Sequence, residues 1–213
     1  MANIEVPKDP QKVQRILVSA LHLFAQNKYR KTKVEDIASM ARVSKGIVFR
    51  YFDNKFGLYL ATIEYANQNI LDTVDYSVWQ DSVDLTELIV RATEYKLKLQ
   101  IKFPDEFQLL TDVFANVEDF SPEMEEKVRK KYQASTAMTQ KLVEPVFERL
   151  VLRDDVSQEE VYNMLNGIML QIGEETKIFM KNHPDGDLKG MTGIIEHAKG
   201  YMKIFERGIK KDN

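Results

Sequence analysis

Between residues 10 and 55 the apolar side chains recur at helical spacing, never in strand-like alternation. Val13, Ile16, Leu17, Ala20, Leu21 and Phe24 predict a first helix from Pro10 to about Asn27, with Asp9 as its N-cap. Val34, Ile37, Ala38 and Ala41 predict a short second helix, and Thr32 with Glu35 three residues later has capping-box spacing. Arg42 and Val43 intervene, and Ser44 caps a third helix whose buried stripe is Val48 and Phe52. The opposite face carries Ser44, Lys45, Ile47, Arg50 and Tyr51. Two short helices joined by a tight turn read as a helix-turn-helix. The same spacing also suits a small amphipathic hairpin with a mixed surface.

The rest of the chain repeats the helical rhythm. Asp53 and Asn54 cap a helix from about Lys55 to Val74, with Leu58, Ile63, Ala66 and Ile70 inward. Asp75 to Asp84, around Trp79, reads as a loop. Leu85 to Lys102 is a helix burying Leu88, Ile89, Ala92, Tyr95 and Leu99. Pro104 restarts the chain, and Phe107, Leu110, Phe114 and Val117 form the apolar stripe of a short helix. Ser121-Pro122-Glu123-Met124 opens a long helix to about Leu152, kinked at Pro145. Ser157 and Glu160 form a capping box before a helix carrying Val161, Leu165, Ile168, Ile172 and Phe179. After a turn at His183 to Asp187, the last helix has the most regular stripe: Leu188, Met191, Ile195, Ala198, Met202, Phe205, Ile209. No strand pattern survives, so the expected fold is all-α, with about nine helices.

Charge sharpens the picture. The net charge of −3 argues by itself against a polyanionic partner. Residues 1–58 nevertheless hold 11 Lys+Arg and 5 Asp+Glu, a net of +6, while residues 59–213 hold 19 and 28, a net of −9. A basic head on an acidic body fits a nucleic-acid-reading unit joined to one that reads something else. Gly46 in the first turn of the third helix points the same way. Glycine costs a helix interior about 1 kcal/mol relative to alanine, and close backbone approach to a phosphodiester chain is a reason to keep it. The free amides of that helix N-terminus suit a phosphate.

Several stretches together carry a family resemblance. They are Ile16 to Phe24, Thr32-Lys33-Val34-Glu35-Asp36-Ile37-Ala38, Val43-Ser44-Lys45-Gly46 and Phe49-Arg50-Tyr51-Phe52-Asp53-Asn54-Lys55. They resemble the N-terminal domain of the TetR/AcrR family of transcriptional regulators, over about the first 60 residues. The resemblance implies a homodimer with a three-helix DNA-binding domain, here residues 1–54, and a helical effector-binding and dimerisation domain, here 55–213. It implies a double-stranded DNA operator, palindromic for a dimer, and release by a small, largely hydrophobic ligand. Lys33, Val43, Ser44, Lys45, Gly46, Phe49, Arg50, Tyr51 and Lys55 are the expected DNA contacts. Ser44, Lys45 and Lys55 suit phosphates, Phe49 and Tyr51 apolar and sugar-phosphate contact, and Arg50 bidentate guanine readout. Two positions depart from the family pattern. Lys28 stands where a glycine usually ends the first helix, and Arg42 where a glycine usually makes the turn; Asn27 is expected to take over the left-handed geometry at the first site.

The body offers fewer signals. Tyr95, Phe103, Phe107, Phe114, Met138, Phe147 and Met169 are expected to line an effector pocket, although core packing explains any one of them alone. Leu165, Ile168, Ile172, Ile195, Met202 and Phe205 are expected at a dimer seam; an intramolecular hairpin is the alternative. The absence of cysteine removes disulfides and thiolate chemistry. His22, His183 and His197 lack metal-ligand spacing, and no phosphate-binding or nucleophile motif is present, so neither metal, cofactor nor enzymatic activity is expected. No apolar run approaches about 18 residues, so no membrane partner is expected and the cytoplasm is the expected location. An effector-independent architectural DNA binder and a helical small-molecule carrier or enzyme remain as alternatives.

Overall fold

The computed structural model describes residues 7–80, 82–115, 120–130, 144, 146, 148, 151–183 and 190–209, without the side chains of Gln80, Phe114 and Ala115. Among the described residues the fold is all-helical, with ten helices. They are α1 (Pro10–Lys31), α2 (Val34–Met40), α3 (Lys45–Phe52), α4 (Lys55–Leu71), α5 (Ser77–Gln80), α6 (Leu85–Lys102), α7 (Pro104–Ala115), α8 (residues 122–130), α9 (Gln158–Asn182) and α10 (Thr192–Ile209). The stretch expected as a loop around Trp79 contains α5. The expected kink at Pro145 lies outside the described residues.

Packing divides the chain into two units: Met1–Val74 with Phe103–Gln133, and Asp75–Lys102 with Ala134–Asn213. In the first, α1 begins where Asp9 accepts the amide hydrogens of Gln11 and Lys12 and Pro10 opens the helix. Ile16, Ala20 and Phe24 of α1, Ile37 of α2, Val48 of α3 and Leu58 and Ile63 of α4 are almost fully buried together. Each such aliphatic or aromatic side chain contributes about 1.5–3 kcal/mol on burial. The helix α7 docks on α1 and α4 through Leu109 and Val113, with Glu106 buried beside them. Its most buried stripe is therefore Glu106, Leu109 and Val113; of the expected stripe, Phe107 and Leu110 are half-buried, Leu110 against the same core, while the Phe114 side chain and Val117 lie outside what is described. Polar contacts pin it: Asp105 meets His22 Nδ1 at 2.8 Å and accepts from Gln26 at 3.2 Å, and Glu106 accepts from Asn69 at 3.0 Å.

In the second unit α10 packs on α6 and α9, and α5 on α6. Leu85, Leu88 and Leu97 meet Val161, Leu165 and Ile172 of α9 and Ala198, Met202 and Phe205 of α10 in one core. The capping box at Ser157 and Glu160 forms as expected, with both reciprocal hydrogen bonds present.

Candidate nucleic-acid interface

Two helix N-termini meet on one side of the first unit. The helix α3 starts at Ser44, whose side chain accepts the Ile47 amide hydrogen at 3.3 Å. The helix α2 starts at Lys33 without a side-chain cap. The expected Thr32–Glu35 capping box does not form. Thr32 is buried and its hydroxyl donates back to the carbonyls of Leu23 and Lys28, tying the end of α1 down. Glu35 instead reaches across to α3, where its Oε1 lies 2.5 Å from Lys45 Nζ. That hydrogen bond, with the attraction of the Lys45 and Lys33 charges, holds the Glu35 carboxyl below the usual carboxylate range. The Lys45 ammonium also lies 5.3 Å from the centroid of the Phe49 ring.

The turn between the helices is held from behind. Arg15 Nε donates to the Ala41 carbonyl at 3.1 Å, and the Val43 amide to Ala38 at 3.0 Å. Arg42 itself takes positive φ, 56°, in the place where a glycine was missed. Lys28 does the same at the end of α1, with φ 62° and ψ 164°; Asn27 does not take over. That region of backbone space belongs almost entirely to glycine.

Of the expected contacts, Lys33, Ser44, Lys45, Gly46 and Arg50 are exposed, and Val43, Phe49 and Lys55 are half-buried. Tyr51 is the exception. It is 7% exposed, its hydroxyl accepts the Asp9 amide hydrogen at 3.1 Å, and its carbonyl accepts from Lys8 at 2.6 Å. The buried stripe of α3 is thus Val48 and Tyr51, with Phe52 half-buried near Lys8. The reason is the segment before α1, which folds against the C-terminal end of so short a helix. A hydroxyl three residues from Val48 gave no sign of that partner. Lys55 sits above the Tyr29 ring at 4.5 Å and donates to the Arg30 carbonyl at 3.3 Å; burial lowers its pKa.

Gly46 and Gly57 contrast. A Cβ added at Gly46 would meet only Ser44 Oγ, at 3.9 Å, whereas one at Gly57 would lie 2.2 Å from the Phe52 carbonyl oxygen. Gly57 is needed for the fold; nothing inside the chain requires Gly46.

A helix-turn-helix with both N-termini and the exposed cations Lys33, Lys45 and Arg50 on one unit is the geometry of a DNA reader. The profile of bacterial regulatory proteins, tetR family, matches residues 16–62. Residues 16–62 thus carry the N-terminal domain of the TetR family. The chain is 29% identical over 119 residues to the HTH-type transcriptional regulator YvkB of Bacillus subtilis, covering 53% of this chain and 61% of that protein. It is 23% identical over 148 residues to IcaR of Staphylococcus aureus, the negative transcriptional regulator of the biofilm operon icaADBC, covering 65% of this chain and 77% of that one. Among solved structures, a TetR-family regulator from Mesorhizobium loti superposes with a TM-score of 0.67 at 17% identity, over 97% of this chain and all of that one. FadR of Bacillus subtilis, solved with stearoyl-CoA, gives 0.63 at 14% identity, over 90% of this chain and 96% of that one. At these identities the structures establish the fold.

The expected effector-pocket residues are divided between the two units. Tyr95 and Met169 belong to the second unit, Phe103 and Phe107 to the first. Phe103, Phe107 and Met169 are half-buried. Tyr95 packs edge-on against Trp79, and its hydroxyl accepts from the Asp75 amide at 2.8 Å. Phe114 lies on α7 without a described side chain, and Met138 and Phe147 lie outside the described residues.

Most of the residues expected at a seam are covered within the chain itself. Leu165, Ile172, Met202 and Phe205 lie in the chain's own core, Met202 with no exposed surface, and Ile168 and Ile195 are half-buried. The strongest apolar stripe of a helix faces its own subunit, where burial is greatest. The outer faces of α9 and α10 instead expose Met164, Leu170, Ile178 and Ile204, between 59% and 74%. Among the described residues no three His, Asp or Glu side chains converge into a metal site, and no helix is long and apolar enough to cross a membrane.

Proposed function

We propose that this protein is a homodimeric transcriptional repressor that reads a palindromic operator with α3 and is released by a small ligand bound in its helical body. The observation that carries the DNA-reading part is Gly46. It lies in the first turn of α3, between exposed Lys45 and half-buried Ile47, and the chain itself leaves its Cβ direction open. A glycine kept where no intramolecular contact needs it fits close approach of a sugar-phosphate chain. Lys33, Ser44 and Lys45 then serve phosphates, Arg50 serves a base edge, and Tyr51 braces α3 from behind. Lys55 reaches a phosphate on leaving the Arg30 carbonyl.

The dimer reading rests on α9 and α10. Gly193, His197, Gly200, Ile204 and Gly208 recur every three to four residues on one outward stripe of α10, and no atom lies within 4 Å of a Cβ built at any of these glycines. Met164, Gly167 and Ile178 line the outer side of α9. Two copies of this helix pair suit a four-helix seam with close backbone approach. The repressor sense follows IcaR, whose name describes a negative regulator, and the effector sense follows FadR, solved with stearoyl-CoA.

The test is selection of bound sequences from a random DNA pool, followed by gel shifts across a salt titration. A repressor enriches a palindrome. Binding without sequence preference indicates an architectural protein, and no binding indicates a carrier or enzyme.

A further inference from the structure

The buried arc of α6 contains a group that does not belong in a core. Ile89, Ala92, Thr93, Leu97 and Leu99 are each less than 10% exposed. At 3.6 residues per turn, Lys96 lies in the middle of the arc they define, one turn from Ala92, Thr93, Leu99 and Gln100. Its side chain is nonetheless reached by solvent, while the surrounding protein pushes its ammonium below the usual lysine range. A water-reached cation between buried neighbours on one arc marks an interruption in the packing of that face of the helix.

Lys96 makes no ion pair or hydrogen bond with any described residue, and its two polar neighbours are unsatisfied as well. Thr93 is 3% exposed, and among the described residues its Oγ1 has no hydrogen-bond partner; Gln100 Oε1 is likewise buried without one. Thr93, Lys96 and Gln100 stand at i, i+3 and i+7, on one face. Unpaired buried polar atoms are costly, and an unpaired desolvated cation more so, unless a ligand completes them. A hydroxyl, an ammonium and an amide that flips to present its NH₂ make three donors to one anionic group. Ile89, Ala92 and Leu97 on the same arc are buried, so the surroundings of that head group are apolar and a ligand with a hydrocarbon tail suits them.

We propose that the Thr93–Lys96–Gln100 face of α6 binds the head group of an anionic amphiphile, a carboxylate or a phosphate monoester on an apolar tail. This rests on the effector reading above and gives the ligand one charge, held by Lys96. None of the site's three polar residues belongs to the aromatic set expected from the sequence.

The test uses the full chain with dodecanoate, dodecyl phosphate and dodecanol as probes, by calorimetric titration. At least one anion binds about tenfold or more tighter than the alcohol. Lys96→Met abolishes that preference and Lys96→Arg retains most of it, with circular dichroism confirming that each variant is folded; Lys96→Gln stands in if the methionine variant is not. Equal binding of alcohol and anions, unchanged anion binding in Lys96→Met, or no binding by any probe overturns the site. Preference between the two anions identifies the head group. A parallel gel shift separates the two readings. Anion binding that leaves DNA affinity unchanged keeps the site and removes the effector role, whereas DNA release by all three probes alike keeps the effector role and removes the site.

Discussion

Glu35 at the start of α2 holds Lys45 at the start of α3, with Oε1 and Nζ 2.5 Å apart. The carboxylate neutralises one of the cations that a phosphate would otherwise meet. Glu35→Gln removes that charge and releases Lys45. Affinity for every DNA sequence should rise, and the slope of log K against log salt should steepen by about one unit, the signature of one more phosphate contact. The measurement is a salt titration on operator and on random DNA. A loss of preference at one base pair with an unchanged slope would mean that Glu35 reads a base instead.

The two glycines of the head separate folding from binding. Gly57→Ala forces a Cβ to within 2.2 Å of the Phe52 carbonyl oxygen, so the backbone at the α3–α4 junction must move. A loss of about 1–3 kcal/mol in urea unfolding is expected, by the mechanism of overpacking. Gly46→Ala meets only Ser44 Oγ, at an ordinary contact distance of 3.9 Å, and gains helix propensity, up to about 1 kcal/mol. Its thermal midpoint should hold or rise while operator affinity falls. A Gly46→Ala protein that binds DNA as well as the parent would remove the argument for close phosphate approach.

Lys28 and Arg42 hold φ of 62° and 56°, backbone that glycine adopts freely. Lys28 also has ψ of 164°, in the region that is essentially glycine's alone. Replacing either by glycine should stabilise the head by about 1 kcal/mol, less what glycine costs in unfolded-chain entropy. At Lys28 the loss of its ion pair with Asp112, 3.7 Å long and largely exposed on the lysine side, subtracts little. Urea midpoints of the two variants check this; a lower midpoint for both would contradict the strain.

Most of the described helices, α5 apart, the caps at Asp9, Ser44, Asn54 and Ser157, and the basic N-termini of the head were legible because each rests on local spacing. What was not legible depends on partners distant in sequence. Tyr51 looked like surface because Asp9 and Lys8, 42 and 43 residues away, are what cover it. Thr32 looked like a cap because the competing carbonyls of Leu23 and Lys28 belong to the preceding helix. Met202 was expected at a seam because periodicity identifies a buried face without saying what buries it. Lys96 carried no signal at all, since one lysine in a helix reads as solvated until its neighbours on the arc are seen to be buried.

The depressed Lys96 ammonium has a pH consequence. Its folded pKa lies below the ordinary 10.5, so below that folded value both states carry the proton and the full penalty of desolvation is present. As pH rises through the folded pKa the folded state sheds its proton first, the unfolded chain binds more protons, and stability rises until the unfolded lysine titrates. Lys96→Met should therefore be more stable than the parent at neutral pH, by a margin that shrinks toward pH 10.5. Thermal midpoints of the two proteins across that range check the sign; a constant margin would place Lys96 in ordinary solvent.

The outer and inner faces of α10 should respond oppositely to substitution. Ile204 is 74% exposed in one chain, and Met202 is fully buried. Met202→Ala opens a cavity in the subunit and should cost about 2–5 kcal/mol without changing which surfaces can pair. Ile204→Glu costs a single chain little, because the carboxylate stays in water. In a seam of two copies the same charge is buried without a partner, against Gly200 and Gly208 on its own helix and their counterparts. Sedimentation should then show monomers of Ile204→Glu with unchanged helicity, and operator affinity should fall because one head reads only half a palindrome. If Ile204→Glu sediments as a dimer with full operator affinity, the outer stripe of α10 is not where two copies meet.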